Sequence, residues 1–190
     1  MKKVYLNIEN PESQRYKKEA YIAENGEPCE VVWVGKDFAP SVMTCEENGF
    51  LSLQRKRGIY LIFEGNLPKV DFFPVPILTL FAKDMDGGFF AYVEKDGKQA
   101  VYYISAALEC WYLAKDLREF VQLAVFEPQW KEKVTGIAAE YGETAEERAA
   151  LGMVFGLYPP ECSLLENMYQ DDTFTVYKNE ENARRNLCML

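Results

Sequence analysis

The chain has 190 residues, with 21 basic and 30 acidic side chains, a net charge of −9 and 48% hydrophobic residues. That length and composition fit one globular domain that can bury a core without disulfide staples, and they exclude disordered, collagen-like and mini-protein classes. There is no histidine, which removes His general bases, Ser-His and Cys-His dyads, His-ligated metals and a His pH switch.

The acidic excess is uneven. Residues 1–100 hold 13 basic against 15 acidic side chains, and residues 101–190 hold 8 against 15. Binding to nucleic acid needs a basic patch that displaces phosphate counterions. The one tight basic cluster is Arg55-Lys56-Arg57, which reads as a solvated turn. Direct nucleic-acid binding is therefore not expected, and the charge steers toward a basic protein partner. Five cysteines (Cys29, Cys45, Cys110, Cys162, Cys188) at long spacings form no CxxC, which suits reduced, buried thiols and a cytoplasmic setting. The longest near-apolar run, Phe72 to Ala82, is broken by Pro74 and Pro76 and is too short to span a bilayer.

In chain order, Val4-Tyr5-Leu6-Asn7-Ile8 alternates as a strand does. Asn10-Pro11 reads as a helix start, with the helix running to about Glu24 and ending at Asn25-Gly26. Cys29 to Val34 is β-branched and aromatic, so a strand is expected. Residues 36–57 carry no clear pattern beyond a turn at Asn48-Gly49, and Gly58 to Phe63 is a further strand candidate. The strongest β signal runs from Ile77 to Ser105. Three apolar segments (77–81, 89–93 and 100–104) are separated by Asp84-Met85-Asp86-Gly87-Gly88 and by the hairpin sequence Glu94-Lys95-Asp96-Gly97-Lys98. They predict an antiparallel meander.

Helical patterns follow. Asp116 and Glu119 form a capping-box-like start for Leu117, Phe120, Val121 and Ala124, stopped by Pro128. A second stripe runs from Trp130 to Tyr141 and ends at Gly142. Thr144 and Glu147 cap a third helix that ends at Gly156. Ser163 and Glu166 start a short helix near Met168, Thr173 to Tyr177 suits a late strand, and the tail reads as a helix or frayed end. These stripes are the spacing of core packing. The reading is an α+β fold, an antiparallel meander sheet packed by helices on one face. Residues 1–126 form the core and residues 127–190 a helical extension of the same domain.

No Walker loop, GxGxxG or GxSxG occurs. Asp84-Met85-Asp86-Gly87-Gly88 begins like a calcium loop, but Phe89 stands where the sharp turn needs Gly, and Lys95 where a bidentate Glu is needed. A solvated acidic turn is preferred, with no metal and no cofactor. Carboxylates such as Asp71, Asp84, Asp86 and Glu94 could serve acid–base chemistry only if brought roughly 5–10 Å apart across a cleft.

The segment 76–126 resembles the SUKH superfamily, mostly bacterial immunity proteins paired with polymorphic toxins, with related fungal cell-wall regulators. The resemblance is carried by Pro76-Ile77-Leu78-Thr79-Leu80-Phe81, by Asp84-Met85-Asp86-Gly87-Gly88-Phe89-Phe90-Ala91-Tyr92, by Val101-Tyr102-Tyr103-Ile104 and by Leu117-Arg118-Glu119-Phe120-Val121. In the last of these Leu117 replaces a usual aromatic. Tyr16 to Gly26 is similar to the family helix that ends in Asn-Gly, with Glu27 where a second Gly is usual. The resemblance implies an α+β fold, no shared catalytic constellation and a protein partner.

Together these point to a non-enzymatic binding module, an immunity protein of a toxin–antitoxin pair that occludes a basic toxin domain such as a nuclease. The expected contact residues are Asp84, Asp86 and Glu94 as charges and Phe89 and Tyr92 as aromatic anchors. One alternative is an enzyme acting on a small molecule or nucleotide, which a pocket lined by Asp71, Asp84 or Glu94 with a raised carboxyl pKa would favour. The other is a self-associating scaffold, which an exposed apolar patch on the 130–170 helices would favour.

Overall fold

The computed structural model describes residues 2–7, 20–22, 28–34, 36–38, 48–63, 67–95, 98–137 and 142–187. Twelve strands occur among them: β1 (Lys2–Asn7), β2 (Ala20–Ile22), β3 (Pro28–Val34), β4 (Lys36–Phe38), β5 (Tyr60–Leu61), β6 (Phe73–Val75), β7 (Leu78–Lys83), β8 (Phe89–Lys95), β9 (Lys98–Ile104), β10 (Cys110–Ala114), β11 (Tyr169–Gln170) and β12 (Thr175–Tyr177). The helices are α1 (Asn48–Arg57), α2 (Leu117–Phe126), α3 (Trp130–Thr135), α4 (Ala145–Val154) and α5 (Glu180–Leu187), with a 3-10 turn at Leu164–Asn167.

The main sheet orders β11-β10-β9-β8-β7-β4, and β5 pairs with β7 beside β4. From β7 to β11 every pairing is antiparallel, as the meander predicts, while β4 joins β7 in parallel. A smaller sheet orders β1-β3-β2, and β12 pairs with β6. The mixed α+β class expected from the sequence is present.

Both faces of the meander are covered. Side chains alternate across a strand, so Phe90, Val101, Tyr103 and Leu113 face one core with Phe120, Leu123 and Ala124 of α2, Trp130 and Val134 of α3, and Leu164 and Met168. Leu78, Leu80, Ala91, Ala100, Tyr102 and Ile104 face the other core with Ile62, Val70 and Phe72. The helices α2 and α3 thus lie on one face, and largely irregular chain covers the second. This double cover explains why β8 reads as an unbroken apolar run. Residues 127–190 belong to the same cores, and they also supply two strands.

Several local expectations change. Ala20–Ile22 pairs antiparallel with β3, so the helix expected to reach Glu24 gives way to non-local strand pairing. The rest of that expected helix, the Asn25-Gly26 stop and the Asp96-Gly97 turn lie outside the described residues. Asn48-Gly49 opens α1 rather than forming a turn. The strand β10 had no separate signal. The stripe from Trp130 stops at Thr135, because Gly136 takes a left-handed φ of 68° and its N–H bonds Glu132 O.

Asp116 and Thr144 cap as their spacing predicts, whereas Ser163 makes no side-chain cap bond. Asp116 accepts from Glu119 N at the start of α2, and Thr144 with Glu147 closes a full capping box on α4. The 3-10 turn is held at both ends. Glu127 Oε2 accepts from Leu164 N (2.9 Å) and Leu165 N (3.1 Å), and Lys133 Nζ donates to Leu165 O and Met168 O. The signs match the orphan donors and acceptors of a helical turn.

Arg57 departs from its reading as a solvated charge. Arg55 and Lys56 are exposed, but Arg57 is buried. Its guanidinium donates to Ala124 O (2.7 Å) and Val125 O (3.0 Å) in the last turn of α2 and pairs with Glu143 at 2.6 Å. It caps α2 from the end of α1 and links both to the segment before α4.

Candidate functional site

The turn between β7 and β8 gathers the acids singled out by the sequence. Asp84 N donates to Gly88 O (3.0 Å), closing the turn. Asp84 Oδ1 accepts from Asp86 N (2.9 Å) and Gly88 N (2.7 Å). Its Oδ2 accepts from Tyr103 Oη at 2.6 Å. Gly88 is required here, since a Cβ would overlap the Tyr103 ring and hydroxyl. The turn is therefore wired from within by one carboxylate that the neighbouring strand β9 also holds.

Lys131 of α3 reaches back to this turn. Its ammonium lies 3.3 Å from Asp84 Oδ2 and bonds Asp86 Oδ2. It sits against both carboxylates, where a cation would have to bind. Burial alone would raise the Asp84 pKa, but the hydrogen bonds from Tyr103 and Gly88 and the Lys131 charge outweigh it, so the carboxyl lies below its usual value. Burial works against the Lys131 charge as well, yet Asp86 and Asp84 hold its pKa above the ordinary value. Burial, with the bond to Asp84, pushes the Tyr103 phenol up. Asp84 is thus an ionised acceptor at neutral pH and carries no proton to donate.

The five expected contact residues do not form one cluster. Asp84 is only 6% exposed and faces inward, so it shapes the turn instead of meeting a partner. Asp86 stands at the surface beside Lys131. Phe89 and Tyr92 are half-buried on opposite faces of the sheet: Phe89 packs edge-on to Phe72 at 5.3 Å, and Tyr92 lies 6.3 Å from Phe81. Both are packing residues first. Glu94 is exposed near the far end of β8. At ~3.3 Å per residue, the length of β8 sets it roughly 17 Å from the turn, well beyond the separation of a catalytic carboxylate pair.

What the turn does present is Met85, 77% exposed between the two acids. Sequence reading passed over it, because a methionine in a polar turn has no motif. It also passed over Asp171, which is buried and accepts from Thr173 N (3.0 Å), Thr173 Oγ1 (2.5 Å) and Tyr102 Oη (3.3 Å). The spacing Asp171-Asp172-Thr173 is the available signal, since Asp bonds the backbone two residues on. Cys110 lies beside it, and burial with the Asp171 charge pushes its thiol up to about 12, which makes it a poor nucleophile. Among the described residues no group of three or more acids or cysteines could hold a metal, and no helix is long and apolar enough to cross a membrane.

Compared with known proteins, the chain matches no family model, no curated protein and no solved structure.

Proposed function

We propose that this chain is a non-enzymatic protein-binding module of the toxin-immunity type, acting in the cytoplasm of a bacterium by covering the working surface of a basic toxin domain. The observation that carries the reading is the turn at 84–88. Asp84 spends its oxygens inside, and the turn it fixes holds out Met85 next to Asp86. An apolar side chain carried beside a carboxylate on a turn whose backbone is already fixed is the form of an interface anchor, since little backbone ordering is lost on binding. The net charge of −9 favours encounter with a basic surface. The resemblance of residues 76–126 to the SUKH superfamily supports the same partner class. The carboxylate-enzyme alternative loses support, because Asp84 has a lowered pKa and is far from Glu94.

The test is capture of the partner by tagged protein from host lysate at low and high salt. A basic protein released by salt is expected, with Met85→Ser weakening its binding by roughly tenfold. Asp86→Asn is expected to slow association and reduce the salt dependence. A partner whose binding ignores salt and both substitutions would overturn the assignment of this turn.

A further inference from the structure

The chain leaves the first core at Met168 and packs on the second at Phe174. Between them it passes around the outer edge of the sheet, where β11 pairs with β10 through Tyr169 and Gln170. The elements that follow lie over the second face. Phe174 sits 4.9 Å from Tyr102, β12 pairs with β6, and Ala183 of α5 is buried with Val75. Residues 169–187 are thus a strap drawn from one face of the meander to the other across β10.

The strap is fastened differently from the sheet beneath it. Among residues 169–183 only Asp171 and Ala183 are buried; Phe174, Val176 and Tyr177 are half-buried, and Tyr169 is exposed. Strands β7, β8 and β9 by contrast bury Leu80, Phe90, Val101 and Tyr103 almost completely. Apolar burial sets local stability, so the strap is the weaker unit. One polar hub holds it to the sheet. Asp171 N donates to Cys110 O (2.8 Å), and the Asp171 carboxylate accepts from Tyr102 Oη (3.3 Å). The same residue closes the strap's own turn, its carboxylate accepting from Thr173 N (3.0 Å) and its carbonyl from Phe174 N (3.2 Å).

We propose that residues 169–187 open and close as one unit while β7 to β10 stay folded, with Asp171 as the latch. The unit moves together because the Asp171 turn joins β11 to β12 and α5 packs on β12. Opening exchanges the two bonds from Asp171 to the sheet for bonds to water, a small net change, and gives up little apolar burial. Closed, the strap occupies the outer edge of β10 at Trp111 and Tyr112 and keeps that edge from pairing with another chain. Open, it bares the edge and one side of Tyr102.

NMR-detected hydrogen exchange of the full chain, at urea concentrations below the unfolding midpoint, tests this. The amides of Asp171, Phe174 and Ala183 should share one protection factor, roughly a hundredfold or more below that of Phe90 and Tyr103. Their urea dependence should be shallower, because opening exposes less surface than unfolding. Asp171→Ala should lower strap protection by roughly a further tenfold, and Thr173→Val by a few-fold. The wild-type exchange decides the opening without any variant, and Thr173→Val alters only an exposed hydroxyl, so the latch remains testable should Asp171→Ala fail to fold. Strap amides with the protection and urea slope of β8 and β9 would overturn the proposal, since the strap would then open only on global unfolding. Three unrelated rates would overturn the single unit, and strap protection indifferent to both substitutions would overturn the latch.

Discussion

Asp84→Ala is expected to lower the folding free energy by about 3–5 kcal/mol, measured as a shifted urea midpoint with little change in slope. The substitution strips the acceptor from Tyr103 Oη, Gly88 N and Asp86 N at once. Hydrogen bonds to a charged group contribute about 1.5–3 kcal/mol each, and a buried donor left unmet adds its own penalty. Asp84→Asn should cost less, since an amide oxygen still accepts from Gly88 N. The pH dependence has a definite sign. The Asp84 pKa is lower folded than its ordinary 3.8, so its stabilisation is complete well above pH 3.8 and is lost as pH falls through the folded value. Asp84→Asn should therefore flatten the acid limb of the stability profile. A cost below about 1 kcal/mol for Asp84→Ala, or an unchanged acid limb, would remove this turn as the organising feature of the β7–β8–β9 corner.

Arg57→Met should be comparably severe, about 3–5 kcal/mol, because it removes a buried guanidinium that serves two carbonyls of α2 and the half-buried Glu143 at once. Glu143 loses the guanidinium that, against the upward push of its burial, helps hold its pKa below the ordinary value. Ala124 O and Val125 O at the end of α2 lose their donors as well. Thermal unfolding should show a fall of about 10 °C for a chain of this length. Pairing the change with Glu143→Gln should recover part of the loss. Lys56→Ala is the contrast, because its 3.7 Å contact with Glu143 is exposed and should be nearly silent. Equal effects for Lys56 and Arg57 would refute the distinction drawn between them.

The elements legible in the sequence are those specified locally. The meander strands carry β-branched and aromatic runs between turn residues, and α2 and α4 carry caps at fixed offsets; all of these formed. Elements set by distant partners were not legible. Ala20-Tyr21-Ile22 suits a helix until β3 is beside it, and nothing near Arg57 announces that α2 ends against it. The acidic turn was found, but its inner wiring was not. Asp84 and Asp86 are the same residue type two positions apart; the bond from Tyr103, 19 residues away, holds Asp84 inside, while Lys131, 45 residues from Asp86, reaches both. Met85 becomes conspicuous only when that wiring is known.

The two-sided cover of the meander leaves an ambiguity that hydrophobicity does not resolve. Sliding β8 or β9 by one residue would exchange two apolar rows, and the oil-in, water-out rule that ordinarily sets alignment would be satisfied either way. Adjacent tyrosines on β9 break the tie. Tyr102 meets Asp171 in one core, and Tyr103 meets Asp84 in the other. A slipped strand would carry each phenol to the wrong side, leaving two buried hydroxyls without their acceptors and taking one donor from each carboxylate, an error penalised in a low-dielectric interior. The paired tyrosines act as alignment keys, one for each side of the sheet, and give the fold its uniqueness where apolar patterning leaves two solutions.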